Sequence, residues 1–191
     1  MSIKTMTIFK ENRMQFETQR LIIRPLNKRD LNAVYHSRKD VETSKFIGRP
    51  ATLADVKKRI EEAEQPWRKV EGQKMLMAIE HKVSGEFIGE MLFKFTHVDH
   101  QIGEIGYRLS PNQHKKGYAF EATHAFVSHL FKHFDLNKIT AICATDNKPS
   151  WQLMEKLGMQ KEGHLREHMP LDSGYCDSYL YSILKREHVT T

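Results

Sequence analysis

Cysteine is scarce in this chain of 191 residues: Cys143 and Cys176 are the only two, too few for a disulfide framework. They read as the reduced thiols of a cytosolic protein. Long hydrophobic runs are missing too. None approaches the roughly 20 consecutive apolar residues of a membrane span, which excludes a helical integral membrane protein. The opening segment MSIKTMTIFKENRMQF has no continuous apolar stretch and no small-residue cleavage site, so no secretory leader is expected. Internal repeats and low-complexity tracts are absent, excluding solenoids and linkers. No G-x-x-x-x-G-K-S/T sequence occurs, so any phosphate site is not a Walker loop.

What is present is the balance of an ordinary globular protein, 39% hydrophobic and 28% charged. The length is enough to bury about 70% of the unfolded surface, and one domain over residues 1–191 is expected, with its core at about 17–185. Lys and Arg number 30 against 24 Asp and Glu, a formal charge of +6. The basic residues are scattered, with short clusters at Lys57-Lys58-Arg59 and Lys115-Lys116. That dispersal favours a solvated surface with one local anion site over a nucleic-acid-binding stripe. Eleven histidines invite a metal reading. The pairs His97/His100, His129/His133 and His164/His168 have ligand-like separations, but none carries a His-Glu-x-x-His pattern or neighbouring cysteines, and no metal is expected.

Hydrophobic period divides the chain into alternating short elements. Residues 17–26 (ETQRLIIRPL) read as a first strand ending at Pro25. Asn27 caps a helix from Lys28 to about Arg38, and Thr52 with Asp55 resembles a capping box opening a second helix over 52–70. MLMAIEHK (75–82), a turn at 83–86 and FIGEMLFKF (87–95) form a hairpin, followed by IGEIGYRLS (102–110). A basic turn ending at Gly117 leads into a long helix from Tyr118 to Phe134, with Ala122, Phe126 and Leu130 on one face. KITAICATD (138–146) is strand-like, Asn147-Lys148-Pro149-Ser150 starts a helix ending at Leu157 before Gly158, and strands at 159–168 and 177–184 close the chain. The order is β-αα-βββ-α-β-α-ββ. It predicts an α/β (α+β) fold, with a mixed, mostly antiparallel sheet of about seven strands and helices on both faces.

The turn Asn112-Gln113-His114-Lys115-Lys116-Gly117-Tyr118-Ala119 carries the first chemical signal. A helix N-terminus exposes unpaired N–H groups at the positive end of its dipole, Gly117 permits close backbone approach, and two lysines add charge. Alone, this supports either a phosphate or pyrophosphate site or a solvated turn.

Taken with later segments, the chain resembles the GNAT acyl-CoA N-acyltransferase superfamily, in its RimJ/RimL-type branch. The resemblance runs from Glu17 to about Leu184. It rests on ETQRLIIRPL, GEFIG (85–89), GEIGYRLSP (103–111), GYAFEA (117–122), N-x-x-S-x-x-L-M-E-K-L-G-M (147–159) and Glu162-Gly163. It implies acetyl transfer from acetyl-CoA, the co-substrate, to an amine by direct attack in a ternary complex. The pyrophosphate would lie on the N–H groups of His114, Lys115, Lys116, Gly117, Tyr118 and Ala119. The pantetheine arm would run between the strands at 102–110 and 138–144, touching the Leu109 backbone and Asn147, with Ser150 near the thioester sulfur. One departure stands out: Lys115 replaces the first glycine of the branch's Gly-x-Gly-x-Ala loop, and a lysine does not adopt positive φ cheaply.

Amine attack needs the neutral form. An α-amine is roughly 15% neutral at pH 7 and a lysine-type amine about 0.04%, so deprotonation costs about 1 and about 4.6 kcal/mol respectively. A general base matters more for the second class. Glu104, which shares a strand face with Gly106 and Arg108, is the candidate base, against a solvated carboxylate. Ser150 is the candidate acid, against a first-turn helix cap, and Tyr175 is the reserve acid. Glu121 reads as packing near the cofactor helix. Cys143 reads as buried, Cys176 as a thiol in a polar turn without a histidine partner, and Trp67 and Trp151 as packing residues. Branch resemblance favours a protein N-terminal α-amine of ribosomal-protein type. A small amine (polyamine, amino sugar or antibiotic) and a catalytically silent acyl-CoA sensor are the alternatives, and a homodimer fits the branch. Acceptor choice falls to residues 36–74 and 169–177, which carry no legible motif.

Overall fold

The computed structural model describes residues 14–172 and 174–188. The opening segment scanned for a leader lies almost wholly outside the described residues. The elements are β1 (Phe16–Glu17), β2 (Leu21–Pro25), α1 (Leu31–Arg38), α2 (Val41–Ser44), α3 (Leu53–Ala63), β3 (Met75–His81), β4 (Phe87–His97) and β5 (Ile102–Leu109). They continue with α4 (Tyr118–His133), β6 (Lys138–Ala144), α5 (Lys148–Lys156), β7 (Gln160–Leu171) and β8 (Gly174–Leu184). One eight-stranded sheet results, in the order β1-β2-β3-β4-β5-β6-β8-β7. Every neighbouring pair is antiparallel except β5 and β6.

Side-chain alternation on the strands divides the core into two layers. Met75, Met77 and Ile79 of β3 face one way and pack with Phe93, Ile105 and the α4 residues Ala122, Phe126 and Leu130, all buried. Leu76 and Ala78 face the other way and meet Val34 of α1 with Val56 and Ile60 of α3. The sheet is therefore covered by α4 and α5 on one face and by α1 and α3 on the other, as the period predicted.

Several expected boundaries shift for identifiable reasons. The first strand breaks in two because residues 18–20 form a turn pinned by Glu121, whose carboxylate accepts from Thr18 Oγ1 at 2.6 Å and Arg20 N at 2.8 Å. That break gives eight strands rather than seven. The helix expected over 52–70 starts on its Thr52–Asp55 capping box but ends at Ala63. Pro66 follows, and Trp67 turns inward against Phe93, Phe95 and Phe134. Residues 41–44 make a short helix that was not expected, capped by Asp40 accepting from Thr43 N at 2.8 Å. The closing strands run longer than read, and β8 already contains Tyr175 and Cys176.

Candidate active site

β5 and β6 pair only over Ile102–Lys138, Gly103–Ile139 and Glu104–Thr140. Beyond Glu104 the two parallel strands part, while β5 continues pairing with β4 and β6 with β8. The opening in the middle of the sheet is a cleft of about 230 Å³ reaching residues from both faces, among them Glu104, Tyr107, Arg108, Cys143, Asn147 and Ser150. Three residues named from sequence, Glu104, Asn147 and Ser150, thus line one cavity.

On the α4 side, Tyr107 Oη lies 3.1 Å from Ser150 Oγ and donates to the Ser150 carbonyl at 3.0 Å. Burial raises the Tyr107 phenol, with the Ser150 bond opposing. Burial also pushes the Cys143 thiol up to about 11, again with a bond from Ser150 opposing. This corner therefore holds neutral, proton-bearing groups at pH 7. Asn147 is the N-terminal cap residue of α5 but makes no side-chain cap bond. Ser150 turns its hydroxyl to Tyr107 rather than serving as a cap. Tyr175, the reserve acid, sits on β8, 74% exposed, and is not among the residues lining the cleft. Its strand pairs with β7 out to Gly174, which carries it to the hairpin's far end.

The loop before α4 has the shape required of a phosphate cradle. Lys115 adopts φ 61° and Gly117 φ 82°, so the lysine takes the left-handed conformation that the sequence made costly. Gly117 caps α4 without a side-chain bond. Glu121 N, bonded to the Gly117 carbonyl at 3.2 Å, is the first helical amide to find a backbone acceptor, as at a helix N-terminus. Arg20 was not foreseen here. Its guanidinium lies 4.6 Å from the Tyr118 ring centre, donates to the Lys116 carbonyl at 3.1 Å and pairs with Glu121 at 2.6 Å. Burial would raise the Glu121 carboxyl, but the Thr18 and Arg20 bonds hold it below its ordinary range. Lys116 Nζ is occupied by Gln113 Oε1 at 3.0 Å, whereas His114 and Lys115 are exposed. Leu109 ends β5 beside this loop.

On the α1–α3 side, Glu104 pairs with Lys94 at 3.0 Å. Glu90, directly across from Arg108 in the β4–β5 register, is 2% exposed and held by Arg38 from α1 and by Arg59 from α3 at 2.7 Å. Burial would raise the Glu90 carboxyl, yet Arg59 and Arg38 reverse that and hold it below its ordinary value. Burial brings the Arg108 guanidinium down to about 10, and Arg38 pushes the same way, so it remains charged at pH 7. Sequence reasoning missed this cluster, since Arg38 and Arg59 lie on helices that looked like ordinary amphipathic segments. Among the described residues no group of three or more His, Cys, Asp or Glu could hold a metal ion. Nor is any described helix long and apolar enough to cross a membrane.

A family model described as an acetyltransferase (GNAT) domain matches residues 20–160. The chain belongs to the GNAT acetyltransferase family. A relative named as the uncharacterized N-acetyltransferase YnaD of Bacillus subtilis (strain 168) is 31% identical over 175 residues, covering 91% of this chain and 99% of the relative. A GNAT-family acetyltransferase structure from Bacillus anthracis superposes with a TM-score of 0.81 at 29% identity, over 91% of this chain and all of that one. The ribosomal protein uS5-alanine N-acetyltransferase of Escherichia coli (strain K12) is 28% identical over 79 residues, 41% of each chain. This GNAT protein is an acetyl-CoA-dependent N-acyltransferase.

Proposed function

We propose that the protein transfers the acetyl group of acetyl-CoA to an N-terminal α-amine of a protein, within a single cytoplasmic domain. The observation carrying this reading is the sheet opening at Glu104: one cavity joins the proton-bearing Tyr107, Cys143 and Ser150 on the α4 side to a charged pocket on the α1–α3 side. The partial likeness to the uS5-alanine enzyme favours the α-amine. A polyamine acceptor, the small-amine alternative, fits poorly in a pocket where the three guanidiniums of Arg38, Arg59 and Arg108 outnumber the two carboxylates of Glu90 and Glu104.

When bound, acetyl-CoA supplies an electrophilic thioester carbonyl. Amides of residues 114–119 and the Lys115 ammonium bind its pyrophosphate. The freed β5 and β6 edges, with Leu109 and Asn147, align the pantetheine arm as an added strand. Glu104 accepts the proton lost by the attacking amine, directly or through a water. The Ser150 hydroxyl gives its proton to the departing thiolate and regains one through the Tyr107 hydroxyl 3.1 Å away, the phenol being reprotonated from solvent as Glu104 releases the proton it took. The C–N bond thus forms as the C–S bond breaks.

Calorimetric titration with acetyl-CoA, followed by thiol release against peptides with free N-termini, tests this. Micromolar binding with release on α-amine peptides is expected. Binding without release on any acceptor leaves the sensor alternative, and no binding overturns the reading.

A further inference from the structure

We infer that the acceptor carries a carboxylate close to its nucleophilic amine, and that the Arg38–Arg59–Arg108 cluster on the α1–α3 side of the cleft receives it. The inference deepens the acetyl-transfer reading and rests on it.

Glu90 neutralises one charge of the three guanidiniums and the Asp40 carboxylate also acts on Arg108, leaving the cluster with an excess of positive charge. Arg38 and Arg59 both spend their Nε on Glu90. Arg108 does not bond Glu90, although it stands opposite on the neighbouring strand. Its Nη2 donates instead to the Thr43 carbonyl at 2.9 Å and Ser44 Oγ at 3.1 Å, fixing the guanidinium against α2. Its Nε is buried and has no hydrogen-bond partner, in a residue only 7% exposed. A buried donor on a charged group is costly to leave unmade, and Glu90 does not pair this guanidinium. With Nη2 committed and Nε shut off from solvent, Nη1 is the Arg108 nitrogen open to the cleft, where a charge-assisted bond to a carboxylate suits it.

Placement fits as well. Glu104, Gly106 and Arg108 share one strand face, and the same cleft wall runs from the Glu104 carboxylate to the cluster. An acceptor anchored through its anion at Arg108 therefore presents its amine toward Glu104 and the sheet opening. The carboxylate can belong to a free amino acid or to an acidic side chain near a peptide N-terminus.

Matched acceptor pairs test this on the full chain. One pair is an amino acid and its amide; the other is a peptide amide beginning Ala-Asp and its Ala-Asn counterpart. Thiol release should favour the carboxylate member of at least one pair by about tenfold or more in kcat/KM. Which pair responds separates the free from the peptide source. In Arg108→Gln that ratio should fall toward one, chiefly through KM. Arg59→Lys, which retains the charge, provides a second variant if Arg108→Gln does not fold, and should reduce the ratio only partly. Calorimetric binding of the N-acetylated pair members to the CoA-loaded protein reports the same preference without turnover. Equal use or binding of both members of both pairs, or a preference that survives in Arg108→Gln, overturns the inference while leaving acetyl transfer standing. Failure to bind acetyl-CoA overturns the underlying reading instead.

Discussion

Replacing Lys115 by glycine isolates the most unusual feature of the cofactor loop. Lys115 holds φ 61°, a conformation that costs a side-chain-bearing residue about 1–2 kcal/mol. Glycine removes that cost but loses about 0.4–1 kcal/mol through a more flexible unfolded chain. The exposed lysine makes no packing contribution to offset. Lys115→Gly should therefore stabilise the free protein by about 0.5–1 kcal/mol, raising Tm by about 1–4 °C for a chain of this size. Lys115→Ala keeps the strain and should stay within about 0.5 kcal/mol of the parent. Thermal unfolding of the three proteins without ligand reads both values. Calorimetry separates the ammonium: both variants lose it, so both should bind acetyl-CoA up to about fivefold more weakly, the deficit shrinking at high salt. A Lys115→Gly protein less stable than Lys115→Ala would refute the left-handed geometry and the reasoning built on it.

Glu90→Gln should cost about 3–5 kcal/mol, because it strands Arg38 and Arg59 as unpaired buried charges; a loss below about 1 kcal/mol in urea unfolding would show the cluster to be hydrated. The same carboxyl predicts the acid limb of stability. Its folded pKa lies below the ordinary 4.5, so its contribution is present above that value and disappears as pH falls through the folded pKa. Urea midpoints should drop progressively below pH 4.5, and a profile as steep in a folded Glu90→Gln variant as in the parent would assign the effect elsewhere. Ser150→Ala should lower kcat by about 10²–10⁴ and Tyr107→Phe by less, since Ser150 sits between the phenol and the sulfur. The reverse order in steady-state thiol release makes the phenol the direct donor. Glu104→Gln should slow acetylation of a lysine-type amine more than that of an α-amine, and an equal penalty on both would remove Glu104 as base.

The parts of this protein written in local chemistry were legible in its sequence. Ala122, Phe126 and Leu130 announced a core face by spacing and Thr52 with Asp55 announced a helix start, and both stand as expected; the Gly117 turn announced the start of α4, where Gly117 takes a left-handed conformation. The site motifs were legible too, since Glu104, Asn147 and Ser150 meet in one cleft although 46 residues separate the first from the last. What sequence could not show was pairing across distance. Glu121 looked like a helix residue of no special duty until the fold set Thr18 and Arg20 against it and broke the first strand. Tyr107 lies on the opposite strand face from Glu104, and only the opening between β5 and β6 brings both to one cavity. Arg38, Arg59 and Arg108 come from a helix, a second helix and a strand, and nothing in their local spacing says that they converge on Glu90.

The two sides of the cleft make opposite electrostatic demands, and the sheet keeps them apart. The leaving thiolate needs a proton, so the α4 side holds groups that burial keeps neutral, with Tyr107 raised and Cys143 raised to about 11. The attacking amine must lose a proton, and there the excess charge of the arginine cluster helps. A unit positive charge roughly 10 Å away at an effective dielectric near 20 disfavours an ammonium by about 1.7 kcal/mol, a little over one pKa unit. That more than covers the deprotonation cost of about 1 kcal/mol for an α-amine at pH 7, but is well under half that of a lysine-type amine. An acceptor carboxylate seated on Arg108 would cancel part of that excess and leave the guanidiniums of Arg38 and Arg59 against the single Glu90 carboxylate. On the proposed reading the cluster would serve an α-amine acceptor twice, holding its anion and depressing its ammonium, while a lysine-type amine in the same cleft would still depend on Glu104.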